Sequence, residues 1–309
     1  MVSQDTFLTE LYVSVDDFCK LRLKEEDKLG RPRSLSRSEV VTLAIFGQGR
    51  RFGSEREFYR YAQQYLCRAF PSLPNRSQFN RLMRRHQPVI EAFGLYLVEV
   101  MDAQAVAYEA MDCVGVAVRN VKRRGNGWLT GMTAIGISNR IGWYEGFKLL
   151  LSVTPIGVIT GSGFASANVR EQPMTDVFLE ARRFPDPRLT SVGKPAHGSY
   201  IVDKGFWGRP NRERWRNYFQ AVVIGLPHTP SVAAQVPKPF RRWLASLRQI
   251  VETVNNKLLD SFRLDRERPH DLVGFQARLA AKIALHNFCI RLNQLLGRPP
   301  LAFADLLDP

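Results

Sequence analysis

Several things this chain does not have limit what it can be. Its four cysteines, Cys19, Cys67, Cys113 and Cys289, include no CxxC pair and no histidine at metal-ligand spacing. A zinc knot and a disulfide framework are therefore not expected, and buried thiols in a reducing compartment are. No apolar run is long enough to span a bilayer, and the start, MVSQDTFLTELYVSVDD, carries acids too early for a secretory leader. The expectation is a soluble intracellular protein, cytoplasmic, with no membrane partner. Internal repeats and low-complexity stretches are missing as well.

Acidic residues are also scarce, at 29 Asp and Glu against 44 Lys and Arg, a formal net charge of +15. The 45% apolar fraction is too high for a solvated basic tail, so the charge belongs to a folded body. A polyanion is the natural partner. Nucleic acid answers through phosphate neutralisation and counterion release, although an anionic membrane or an acidic protein would answer the same field. The 309 residues suit one catalytic domain with a smaller accessory one.

Residues 1–105 read as an all-helical domain. Ser36-Arg37-Ser38-Glu39 is a capping box ahead of an apolar run that Gly47 and Gly49 end. A second helix begins near Ser54 and stops before Pro71 and Pro74. A third, starting at Asn75 to Ser77, puts Phe79, Leu82 and Met83 on one side and leaves Arg76, Gln78, Asn80, Arg81, Arg84 and Arg85 outward. That order is a helix-turn-helix-like one suited to DNA, and it is equally the order of a helix with an ordinary solvated basic face.

From residue 106 to the end the texture becomes a mixed α/β sheet flanked by helices. Strands are expected over Met111–Val118, Trp143–Val153, Ile156–Thr160, Ser199–Val202 and Phe219–Ile224. Helices are expected over Met174–Arg182, Pro210–Trp215, Pro239 to about Phe262, and His270–Gly297. The first three strands read as a meander and the others as crossover units. Gly161–Pro173, small and polar, reads as a loop beside the active site.

Two aspartates sit where strands should be: Asp112 in Ala110-Met111-Asp112-Cys113-Val114, and Asp203 at the end of Tyr200-Ile201-Val202. A carboxylate there is costly unless it is paired or holds a cation. For either aspartate alone, a salt bridge is the simpler account. The third acid is Glu252, on a helix whose core face is Leu247, Ile250, Val251, Val254 and Leu258, with Arg248, Glu252, Asn255 and Asn256 beside it. Arg248 and Glu252 also have the spacing of a plain surface ion pair. The acids lie 91 and 49 residues apart, so only the fold can unite them. Hard oxygen donors of this kind suit Mg²⁺ or Mn²⁺, and two such ions can clamp an in-line displacement at phosphorus.

These residues resemble the ribonuclease H-like, three-carboxylate (DDE) transposases of bacterial insertion sequences. The motifs are the strand acid Asp112, Ile201-Val202-Asp203-Lys204-Gly205-Phe206-Trp207, and Arg248 with Glu252 four residues on. The front adds the Ser38-Glu39 helix, Phe58-Tyr59, and Phe70-Pro71-Ser72-Leu73-Pro74 followed by Ser77-Gln78-Phe79. Two positions depart from the Tyr-Arg-Glu-Lys signature of some relatives: Ala245 and Leu259 stand where its tyrosine and lysine would be. The spacing also leaves no room for the large β-rich insertion of others.

The resemblance implies catalysis and metal binding by Asp112, Asp203 and Glu252 with two Mg²⁺ or Mn²⁺ ions. Its partners would be double-stranded DNA, both the element's terminal inverted repeats and the target, with a possible homodimer on DNA. Cleavage at element ends would be followed by strand transfer. The rival readings are a non-catalytic regulator derived from a transposase and a nuclease of the same fold. DNA contacts are expected from Arg76, Gln78, Arg81, Arg84, Arg85, Arg119, Lys122, Arg123, Arg124, Lys204, Arg209, Arg248 and Lys257. Core packing is the expected role of Trp207, and stacking on a displaced base its alternative.

Overall fold

The computed structural model describes residues 2–24, 34–49, 52–119, 121, 129, 131–183, 195–206, 208–304 and 306. Its helices are α1 (Gln4–Arg22), α2 (Arg37–Gly49), α3 (Glu55–Tyr65), α4 (Arg76–Arg85), α5 (Gln87–Val100), α6 (Glu171–Arg183), α7 (Arg209–Phe219), α8 (Pro230–Gln235), α9 (Lys238–Asn256) and α10 (Leu272–Leu295). Its strands are β1 (Glu109–Arg119), β2 (Ala134–Ser138), β3 (Gly142–Val153), β4 (Ile159–Ser166), β5 (Gly198–Val202) and β6 (Ala221–Ile224). They form two compact units, one within Met1–Leu97 and Asp271–Pro309, the other within Val98–Asp186 and Val192–His270.

In the first unit the helix starts are fixed by side-chain caps. The capping box is reciprocal: the Ser36 amide donates to Glu39 Oε2 at 2.6 Å and the Glu39 amide to Ser36 Oγ at 3.2 Å. Ser54 caps α3 by accepting from the Glu57 amide, and Asn75 caps α4 by accepting from the Gln78 amide. Phe79 of α4 is fully buried and packs on Phe58 and Tyr59 of α3.

The tail helix corrects an expectation. Grouped with the catalytic part in sequence, α10 packs instead with the helices of the front. Phe288 meets Phe7 edge-on at 5.3 Å, Lys282 donates to Gln48 at 2.7 Å, and Arg278 pairs with Glu55 at 2.6 Å. The reason is that Ala277, Leu279, Ala281, Ala284, Leu285 and Phe288 make it apolar all round, and such a helix is covered by neighbours on every side.

The second unit is built on a six-stranded mixed sheet. Strand β3 pairs antiparallel with β1 along one edge and with β2 and β4, end to end, along the other. Beyond β1, β5 and then β6 run parallel to it. The expected meander and crossovers are present, with β2 as an unforeseen addition. On one face Met111, Tyr200 and Val202 pack under Met174, Phe178 and Leu179 of α6 and Trp215 of α7. Successive side chains alternate across a strand, so Asp112 points to the opposite face, where α9 lies.

Gly161–Pro173 is not a loop. Its first half is β4 and its end begins α6. A Cβ on Gly161 would stand 2.8 Å from the Phe178 ring and 2.9 Å from the Arg182 guanidinium. Glycine is there because α6 lies close over the strand, a packing demand that composition presents as flexibility.

Candidate active site

The parallel pairing of β1 and β5 brings two of the acids together. Glu109, Ala110 and Met111 stand opposite Tyr200, Ile201 and Val202, a constant offset of 91 residues. Asp112 on β1 and Asp203 just past the end of β5 follow that paired run at the same offset, and Asp203 is near enough to Asp112 to raise its carboxyl. Strand neighbours lie about 4.8 Å apart. Asp203 is the first residue past β5, where the chain turns into a short 3₁₀ helix, Lys204–Phe206, and the Lys204 amide donates to Asp203 Oδ1 at 2.7 Å. From the other face Gln172 of α6 holds this turn by donating to the Gly205 carbonyl at 2.7 Å.

Helix α9 supplies the rest. Leu244, Val251, Val254 and Asn255 are buried, which leaves Arg248 half-buried and Glu252 exposed at the margin of the packed face. Arg248 Nη1 donates to Asp203 Oδ1 at 2.8 Å, and Arg248 Nη2 donates to Glu252 Oε1. One guanidinium thus bridges the strand acid and the helical acid. Asn255, 4% exposed, lies one turn beyond Glu252, and its Nδ2 is 3.5 Å from Asp112 Oδ2. Among the described residues its own Oδ1 has no hydrogen-bond partner. The chain then widens into a π turn, Lys257–Ser261.

Charge ties all four groups together. Desolvation pushes the Asp112 carboxyl up to about 7; Arg248 pulls it back, while Asp203 and Glu252 raise it. Desolvation pulls the Arg248 guanidinium down, but Asp203, Asp112 and Glu252 together hold it above its ordinary value. Three carboxyls therefore share a single arginine, and the least hydrated of them is undercompensated.

Such a donor set suits a divalent cation in its chemistry, because the oxygens are hard and the site has more negative than positive charge. Among the described residues no three Asp, Glu, His or Cys side chains stand ready to hold one ion jointly. Arg248 occupies the cationic place between Asp203 and Glu252.

The basic residues expected at DNA divide into groups. Arg76, Gln78, Arg81 and Arg85 are exposed along α4, as is Lys204 beside the acids. Arg84 does not face outward with them: it turns to Glu55 at 3.6 Å and Asp271 at 3.7 Å, the latter the cap of α10. Arg119 is paired across strands with Glu145 at 2.8 Å, so its charge is already partly answered. Arg209 is exposed and pairs with Glu213 one turn on. Lys257 is half-buried in the π turn. Lys122, Arg123, Arg124 and Trp207 lie outside the described residues.

Sequence reading missed Glu109 and gave Asn255 no role. Glu109 is fully buried and bound to Arg182. An acid opening an apolar strand was the available signal.

No family model and no curated protein matches this chain. Among solved structures it is similar to a pre-cleavage Mos1 transpososome, at 11% identity, with 85% of this chain and 80% of that chain covered and a TM-score of 0.24. It is similar also to a Mos1 strand transfer complex, at 12% identity, 80% and 78% coverage and a TM-score of 0.25. Scores this low do not define a shared fold. No described helix is long and apolar enough to cross a membrane.

Proposed function

We propose that the chain is a DNA transposase of the ribonuclease H-like, three-carboxylate class, with Asp112, Asp203 and Glu252 as its metal ligands. The observation that carries this is the shared 91-residue offset, which sets Asp112 beside Asp203 while Arg248 links Asp203 to Glu252 from α9. A meander followed by two parallel crossover strands and a closing helix also supports the ribonuclease H-like reading. A bound pair of Mg²⁺ ions would supply charge neutralisation at phosphorus and a more acidic water.

The chain's own groups do the positioning. Asp112 on β1 and Asp203 in the turn just past β5 fix two oxygen donors, and Glu252 adds a third from α9. Lys204, next to Asp203, draws a phosphate toward the acids. Exposed Arg76, Gln78, Arg81 and Arg85 of α4 hold the duplex through its backbone and base edges. A 3′ hydroxyl freed at an element end then takes the place of water and attacks target DNA, exchanging one phosphodiester for another.

The test is Asp203→Ala on DNA carrying the element's ends. Cleavage in Mg²⁺ is expected to vanish while the gel-shift affinity stays within a few fold of wild type; retained cutting removes Asp203 from the site. With pre-cut ends, joined product supports a transposase, cleavage alone a nuclease of this fold, and binding alone a regulator.

A further inference from the structure

We propose that Arg248 is a displaceable counter-ion: its guanidinium fills the place of a divalent cation between Asp203 and Glu252, and an entering ion must expel it. This rests on the three-carboxylate reading above and adds a competitor within the same site. The geometry is direct. Arg248 reaches Asp203 Oδ1 with one terminal nitrogen at 2.8 Å and Glu252 Oε1 with the other, so it ties up an oxygen on each acid. Neither acid is sealed in, since the Asp203 and Glu252 side chains are 43% and 52% exposed. Ion pairs this exposed are weak and readily exchanged.

Physical necessity argues for the placeholder. Without a cation, the Asp203 and Glu252 carboxylates would repel one another, joined by Asp112 wherever it loses its proton, and α9 would be pushed from the sheet where Glu252 stands. Arg248 relieves that repulsion in the metal-free protein. Its long, jointed side chain can then swing outward when a stronger cation arrives, because it is 24% exposed and, among the described residues, its buried Nε makes no hydrogen bond that would be lost. The same arginine therefore keeps the site assembled and sets a threshold for metal entry.

The test is Mn²⁺ binding, followed by the loss of the free-ion EPR signal, on the whole protein without DNA. Arg248→Gln is expected to bind Mn²⁺ more tightly than wild type, by roughly tenfold or more, because a competing positive charge beside the ion is gone. It should also melt lower in chelator and gain more from added Mn²⁺ than wild type does. Arg248→Lys, whose single point charge cannot span both acids, should fall between the two and covers the case in which the glutamine variant fails to fold. Unchanged or weaker binding in Arg248→Gln and Arg248→Lys, with wild-type binding that Asp203→Ala removes, overturns the counter-ion role and leaves the three-carboxylate site standing. No binding by any of these proteins overturns both.

Discussion

Two arginines, Arg182 and Arg248, bind acids on opposite faces of one sheet, and they are built for opposite purposes. Arg182 donates to Glu109 at 2.6 Å, to Tyr200 at 3.0 Å and to Thr160 at 2.8 Å, and lies 4.3 Å over the Phe178 ring. Its side chain is 7% exposed and that of Glu109 is 0% exposed. Arg248 has the same carboxylate partners in kind, but they stand in solvent. On β1 the two clusters are anchored three residues apart, at Glu109 and Asp112, and the same three residues separate Tyr200 on β5 from Asp203 just past its end. The inner cluster clamps the pairing of Glu109 with Tyr200, and that pairing sets the register in which Asp112 meets Asp203. A slip of one residue would turn Asp203 to the wrong face. A permanent ion pair thus positions a replaceable one.

The largest effect should follow from breaking the permanent pair. Desolvation pulls Arg182 down, but Glu109 and Tyr200 more than offset it, so the guanidinium stays charged in the core. Glu109→Ala leaves that charge without its counter-ion, and urea unfolding should show a loss of about 3–5 kcal/mol. Replacing both partners, Glu109→Leu with Arg182→Met, should restore much of it. Equal losses in the single and double variants would mean that the surrounding packing, not the pair, holds β1 against β5.

That clamp also marks where the sequence stops being legible. The caps at Ser36, Ser54 and Asn75, the strand acids Asp112 and Asp203, and the amphipathic pattern around Glu252 are local signals, and each element forms where its residues direct. Register is not local. The 91-residue spacing of Asp112 and Asp203 is visible in the chain, but only the pairing of Glu109 with Tyr200 gives that number meaning. Gly161 carried a packing demand that reads as a loop, and α10 carried no sign of which helices would cover it. Arg84 and Arg119 look like free cations in sequence; their acids, Glu55 with Asp271 and Glu145, come from distant positions or another strand.

The second effect separates the faces by pH. The Asp112 carboxyl, held near 7 by desolvation against an ordinary 3.8, keeps its proton in the folded protein over a range where the unfolded chain has lost it. The folded state therefore binds more protons between those values, and stability in chelator should fall as pH rises from about 4 to about 7, then level off. At 1.36 kcal/mol per pH unit the ceiling is roughly 4 kcal/mol. Asp112→Asn should flatten this profile and, above pH 7, be more stable than wild type without metal. A wild-type profile that rises over this interval, with no difference in the variant, would show that Asp112 is charged and compensated in the fold.

The smallest stability change should come from the outer pair itself, and it makes the comparison sharpest. Asp203→Asn and Glu252→Gln each remove one partner of Arg248 where both acids are well exposed, so water takes over the solvation that the pair supplied. Surface pairs of this kind contribute between roughly 0 and 1 kcal/mol. Urea midpoints in chelator should accordingly move little, far less than for Glu109→Ala, while Mn²⁺ binding should fall steeply in both variants because each loses an anionic ligand. The two measurements moving in opposite proportion on the two faces is what a fixed clamp beneath an exchangeable site requires. If Asp203→Asn destabilised as much as Glu109→Ala, the outer cluster would be a second structural clamp, and Arg248 would have no freedom to leave it.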